Sequence, residues 1–69
     1  MDQPEIDHIF THHAPKGDQQ ERYISLREEA WELASLINKL CPESREKSLA
    51  ITKLQECVMF ANASIAIHE

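Results

Sequence analysis

Glycine is almost missing from this chain, with one copy in 69 residues beside three prolines and only four aromatic side chains. A sequence so poor in turn formers does not support a many-stranded sheet, whose tight connections lean on glycine and asparagine. Cysteine is scarce too: Cys41 and Cys57 are the only two. On a straight helix their separation is ~24 Å, well beyond disulfide reach. They read as two ordinary buried thiols of a reducing cytoplasm. No spaced Cys/His set exists, and the adjacent rings of His12 and His13 diverge, so no metal site is expected. No apolar run approaches the roughly 20 residues of a membrane span. The segment MDQPEIDHIF is acidic and poor in apolar residues, which reads as no secretory signal. Basic charge is short as well. A net charge of −5 disfavours a sequence-blind binder of long nucleic acid, which needs a basic face, but allows a small anion in a local basic pocket.

What the chain does have is helical periodicity. Asp18 and Glu21 form a D-x-x-E variant of the capping box, opening a helix expected over about 18–40. Tyr23, Leu26, Ala30, Leu33, Ile37 and Leu40 step 3, 4, 3, 4, 3, a heptad seam. Ile24, Trp31, Ala34 and Leu36 widen the stripe, while Glu28, Glu29, Glu32 and Asn38 mark a solvated face. Cys41-Pro42 ends the helix, because the residue before proline avoids the α region. A second helix, over about 43–68 with Ser44 as a candidate cap, repeats the seam at Ile51, Leu54, Val58, Ala61, Ile65 and His68. It is apolar on nearly every side around Cys57 to Ala61. A connection of a few residues makes the pair antiparallel. The fold expected is all-α: an antiparallel helical hairpin over 18–69 and an N-terminal arm over 1–17. In the arm, Asp2 caps a short helical turn with Pro4 just inside it, running to Phe10.

Two helices cannot cover that much apolar surface, and a monomer of this size is marginal without disulfides, metal or self-association. A compact homo-oligomer follows, with any pockets placed along its interfaces.

Two clusters carry possible ligand chemistry. Arg45 and Lys47 stand in the first turn of the second helix, where the positive helix end disfavours cations unless an anion or acidic neighbour offsets them. With Ser48 and Lys53 they suit a phosphate; with Glu43 and Glu46 beside them, spacing alone favours a self-neutralised surface over a phosphate site. The arm and first helix supply Phe10, His12, His13 and Lys16, then Tyr23 and Arg27. Rings stack on nucleobases while Lys and Arg meet phosphate. The alternative is an arm that packs across the hairpin with surface histidines. No serine, threonine or cysteine has the setting of a nucleophile, so catalysis is not expected.

The order FTHHAPKGDQQERYISLR, a leucine-rich helix, and LCPESREKSLAITKLQECVMFANASIA resembles the phage anti-CBASS cyclic-oligonucleotide sponges, which share a helical-hairpin domain with phage sponges of the Thoeris signal. The likeness covers about 10–69. It is carried by F-x-x-H-x-P-x-x-x-Q, CP-x-S-R-E-x-S-x-A-x-T-K-L and F-A-N-A-x-I-A. The resemblance implies a compact homohexamer in the host bacterial cytoplasm. It implies pockets between protomers for cyclic dinucleotides, with cyclic trinucleotides held at separate pockets by some members. The ligand is sequestered, not cleaved, and no cofactor is involved. Carried over by position, it implies ligand roles for His12, His13, Pro15, Tyr23 and Arg27, and a second pocket at Arg45, Ser48 and Lys53. At His12 the family pattern has an aromatic ring, so stacking there is expected to be weaker and pH-sensitive. Two rivals from other classes are a structural bundle subunit or adaptor without a small ligand, and a small hydrolase of nucleotide signals.

Overall fold

The computed structural model of the chain describes residues 2–10 and 14–69. Among them the architecture is three helices and no strand: α1 (Gln3–Phe10), α2 (Gln19–Leu40) and α3 (Arg45–His68). Each boundary has a local cause. The Asp2 carboxylate accepts from the Glu5 N–H at 2.9 Å and starts α1. Ser44, in extended conformation, accepts from the Lys47 N–H at 3.1 Å and starts α3. Cys41 leaves α2 extended, as its place before Pro42 requires, while its N–H still closes onto the Ile37 carbonyl at 3.0 Å.

The start of α2 differs from the capping box. Asp18 makes no side-chain cap hydrogen bond, and its φ of −91° and ψ of 9° are not those of an extended cap. Gly17, at φ +58°, turns the chain just before it, and the Gln19 N–H closes the turn onto the Lys16 carbonyl at 3.1 Å. That left-handed conformation is one only glycine takes without strain. The Asp18 carboxylate is instead swung toward Arg22, with Oδ1 3.2 Å from Nε.

α2 and α3 pair along the two heptad seams. Tyr23, Leu26, Ala30 and Ile37 on α2, and Ile51, Leu54, Val58, Ala61 and Ile65 on α3, are half-buried. Leu33 and Leu40 share the spacing but stay exposed. The α1 helix docks at the far end of the hairpin: His8 Nε2 lies 2.5 Å from the Ile67 carbonyl oxygen, and Ile6 and Ile9 are half-buried.

This hairpin has no core of its own. Among the described residues no hydrophobic side chain is buried; the one buried residue is polar, Gln19 at 4 % exposure. Trp31 is 69 % exposed, Phe60 75 % and Phe10 82 %. The molecule measures 46 × 29 × 12 Å, one helix thick, since a helix with side chains is ~10–12 Å across. Its radius of gyration is 15.4 Å, where a compact domain of this length has ~11 Å. Its surface is 5704 Å², against ~4,450 Å² for a folded monomer of the same mass. The cysteines follow suit. Both are free and exposed in the single chain, which corrects the reading of buried thiols: one layer of helices has no interior to put them in.

Candidate functional site

The residues singled out in the sequence do not converge on one place. Tyr23 and Arg27 do: one turn apart on α2, they face Asn62, Ala63 and Ala66 of α3 across a groove of about 410 Å³. Arg27 also stands at the edge of a second, more apolar groove of about 440 Å³, between Trp31 and Ala34 of α2 and Leu54, Val58 and Met59 of α3. The two grooves therefore share one residue, Arg27, the bearer of a guanidinium.

That guanidinium is unengaged. Arg27 has no ion pair or hydrogen bond among the described residues. Of the six other Lys and Arg residues, three have side-chain partners among the described residues. Arg22 grips the Glu69 carboxylate with both terminal nitrogens, Nη1 at 2.8 Å from Oε2 and Nη2 on Oε1. Lys47 is 9 % exposed; it reaches Glu43 at 2.5 Å and the Asn38 carbonyl at 3.1 Å, stapling the inter-helix turn. Lys53 stands 3.4 Å from Glu56. Neither wall of the Tyr23–Arg27 groove carries a carboxylate. In a chain of net charge −5, a cation without a partner among the described residues, in a groove lined by no carboxylate, is a candidate contact for an anion.

The CP-x-S-R cluster is arranged differently. Arg45, Ser48 and Lys53 are all exposed on the first turns of α3. At 100° per residue they spread over about 140° of its circumference, so one chain does not gather them on a single face. Arg45 has no ion pair among the described residues, whereas Lys47, beside it, is used up in holding the turn.

In the arm, Phe10 ends α1 exposed, and Pro15 and Lys16 are exposed as well. His12 and His13 lie outside the described residues. The Lys16 main chain is held from both sides: its N–H donates to Gln19 Oε1 at 3.1 Å and its carbonyl accepts from the Gln19 N–H. Gln19 Nε2 reaches Glu69 Oε1 at 3.4 Å. The arm, the start of α2 and the end of α3 are thereby tied in one clasp. The Arg22 hydrogen bonds, outweighing partial desolvation and helped by Gln19, hold the Glu69 carboxyl down at about 2 from its ordinary 4.5. The same bonds to Glu69 push Arg22 further up.

Sequence reasoning missed three of these residues. Gln19 and Glu69 are 50 positions apart, and nothing local pairs them. Asn62 sits inside F-A-N-A-x-I-A; the one available signal was a lone amide in an otherwise small and apolar run. Among the described residues no cluster of His, Cys, Asp and Glu is arranged to hold a metal ion, and no helix is long and apolar enough to cross a membrane.

The chain belongs to the family whose model is described as Acb2/Tad1, hairpin domain, which matches residues 2–66. This is the family of anti-CBASS and Thoeris sponges. No curated protein and no solved structure matches the chain.

Proposed function

We propose that this chain is a non-catalytic sponge: a homo-oligomer, hexameric in its working form, that captures cyclic dinucleotide immune signals in the cytoplasm of the host bacterium and so shields a phage. The observation that carries the reading is the unpaired Arg27 guanidinium beside the Tyr23 ring, in a groove without a carboxylate. Family membership supplies the ligand class. In this reading Arg27 meets a phosphate, with Lys16 as a second cation, and Tyr23 stacks on or orients a base. Phe10, His12, His13 and Pro15 close over the ligand from the arm. Arg45, Ser48 and Lys53, scattered on one copy, join with counterparts on neighbouring copies to form a second pocket, the place for a cyclic trinucleotide.

The assembly is argued from surface. The single chain exposes ~1,250 Å² more than a compact monomer of its mass, comparable with the ~800 Å² that each partner contributes to a standard interface. Trp31, Met59 and Phe60 supply the apolar part. Capturing a micromolar signal requires binding on the order of −9 to −12 kcal/mol. Two phosphates and two stacked bases enclosed between rigid helices are enough for that.

The test is calorimetry with purified protein and a panel of cyclic di- and trinucleotides, followed by denaturation and recovery of the ligand. Binding with intact recovery is the expected result. Linear product would make the protein a hydrolase. No binding across the panel would leave a structural subunit or adaptor.

A further inference from the structure

The Tyr23–Arg27 groove has a polar wall that phosphate chemistry does not use. On α2 the wall is a ring and a cation, one turn apart. On α3 it is Asn62, with Ala63 and Ala66 beside it. The Asn62 side-chain oxygen is shut off from solvent and accepts no hydrogen bond. Buried acceptors are satisfied in the great majority of cases, and leaving one unmet is costly. A carbonyl oxygen cannot be satisfied by phosphate, which presents only acceptors of its own at neutral pH. It needs a donor.

The surroundings narrow which donor. The aromatic Tyr23 and the small Ala63 and Ala66 line the same groove as Asn62. An aromatic side chain beside small ones suits a planar group that stacks. Rotation about χ2 of asparagine is soft, so the amide oxygen turns to meet a donor at the edge of that plane. Nucleobases carry such donors as exocyclic amino groups, N6 on adenine and N2 on guanine.

We propose that Asn62 is the specificity-determining residue of this groove, accepting a hydrogen bond from the exocyclic amino group of a bound nucleobase. The inference rests on the cyclic-dinucleotide reading above and adds to it a residue, an atom and a direction of selectivity. Asn62 selects amino-bearing bases over isosteres that lack the amine, because the isostere leaves the buried oxygen unmet.

Two matched ligand pairs test it on the full-length assembly. Cyclic diadenylate is compared with its analogue carrying unsubstituted purine, which lacks only N6. Cyclic diguanylate is compared with its hypoxanthine analogue, which lacks only N2. Wild-type protein is expected to favour the amino-bearing member of at least one pair by about tenfold or more. In Asn62→Ala that preference falls to within about twofold, mainly through weaker binding of the amino-bearing ligand. Native mass is expected to be unchanged. Wild-type binding with no preference in either pair overturns the role of Asn62 and leaves the sponge reading standing, and it does so without any variant. A preference that survives Asn62→Ala overturns it as well. Loss of native mass in the variant would assign the oxygen to a neighbouring copy's donor instead. If wild-type protein binds none of the four ligands, the sponge reading falls and this inference falls with it.

Discussion

The open end of the hairpin, away from the turn that joins α2 and α3, and its middle are built on opposite terms. At the open end, where the arm meets both helices, polar groups are paired: Glu69 with Arg22 and Gln19, Gln19 with Lys16, His8 with the Ile67 carbonyl. In the middle, among the described residues, Arg27 has no partner, the Asn62 oxygen is unmet, and Trp31 and Met59 stand uncovered. The contrast separates two jobs. Where the chain must hold itself, it pairs most of its own groups; Arg22 Nε makes an ion pair with Asp18 but no hydrogen bond. Where something else is to arrive, it leaves them open. A chain merely short of stabilising contacts would be loose at both ends and in the middle alike.

The hardest blow to that contrast is a charge in the uncovered middle. Trp31→Glu is expected to dissociate the assembly and lower the melting temperature together. The loss is about 2–3 kcal/mol per protomer from forfeited burial alone. Sedimentation and thermal melts read both; an unchanged mass would remove Trp31 from any interface.

Arg27→Ala comes next. Removing a charge-assisted contact costs about 1.5–3 kcal/mol of dinucleotide affinity, roughly ten- to a hundredfold. Native mass should not change, since Arg27 has no ion pair or hydrogen bond among the described residues. Lys16→Ala should act in the same direction and more weakly. Unchanged affinity in both variants would take these residues out of the site.

Smaller effects sharpen the picture of the helix starts. Ser44 caps α3 and Asp18 does not cap α2. Ser44→Ala should therefore cost about 1 kcal/mol in chemical denaturation. Asp18→Ala should cost less, since among the described residues its side chain makes only an exposed pair with Arg22. Equal losses would mean that Asp18 caps after all.

The mildest test is acid. The Glu69 carboxyl is held at about 2 in the folded chain, from an ordinary 4.5. Its contribution is complete above pH 4.5 and is lost as pH falls toward 2. Melting temperature should show a decline in that window that Glu69→Gln lacks. Identical acid profiles would show that the clasp adds no stability.

The hairpin was legible in the sequence because heptad spacing reports a helix seam directly. Tyr23, Leu26, Ala30, Ile37, Ile51, Leu54, Val58, Ala61 and Ile65 all lie half-buried along it. The same spacing does not reveal where two helices part, so Leu33 and Leu40 read as seam and stand exposed. Asp18 was misread because D-x-x-E describes side chains, while the turn at Gly17 is set by a backbone angle. Within the candidate groove, Tyr23 and Arg27 were readable as neighbours one turn apart. Asn62 was not, because only the pairing of α3 against α2 brings it opposite them. Arg22 reads locally as surface charge, and its partner lies 47 residues away.

Sedimentation of the full-length chain down to low micromolar concentration and below tests most directly whether one copy leaves its middle open for others. The account predicts a discrete multimer, with helical signal lost as it dissociates. A monomer that keeps its helicity and melts cooperatively at the lowest concentration would contradict it.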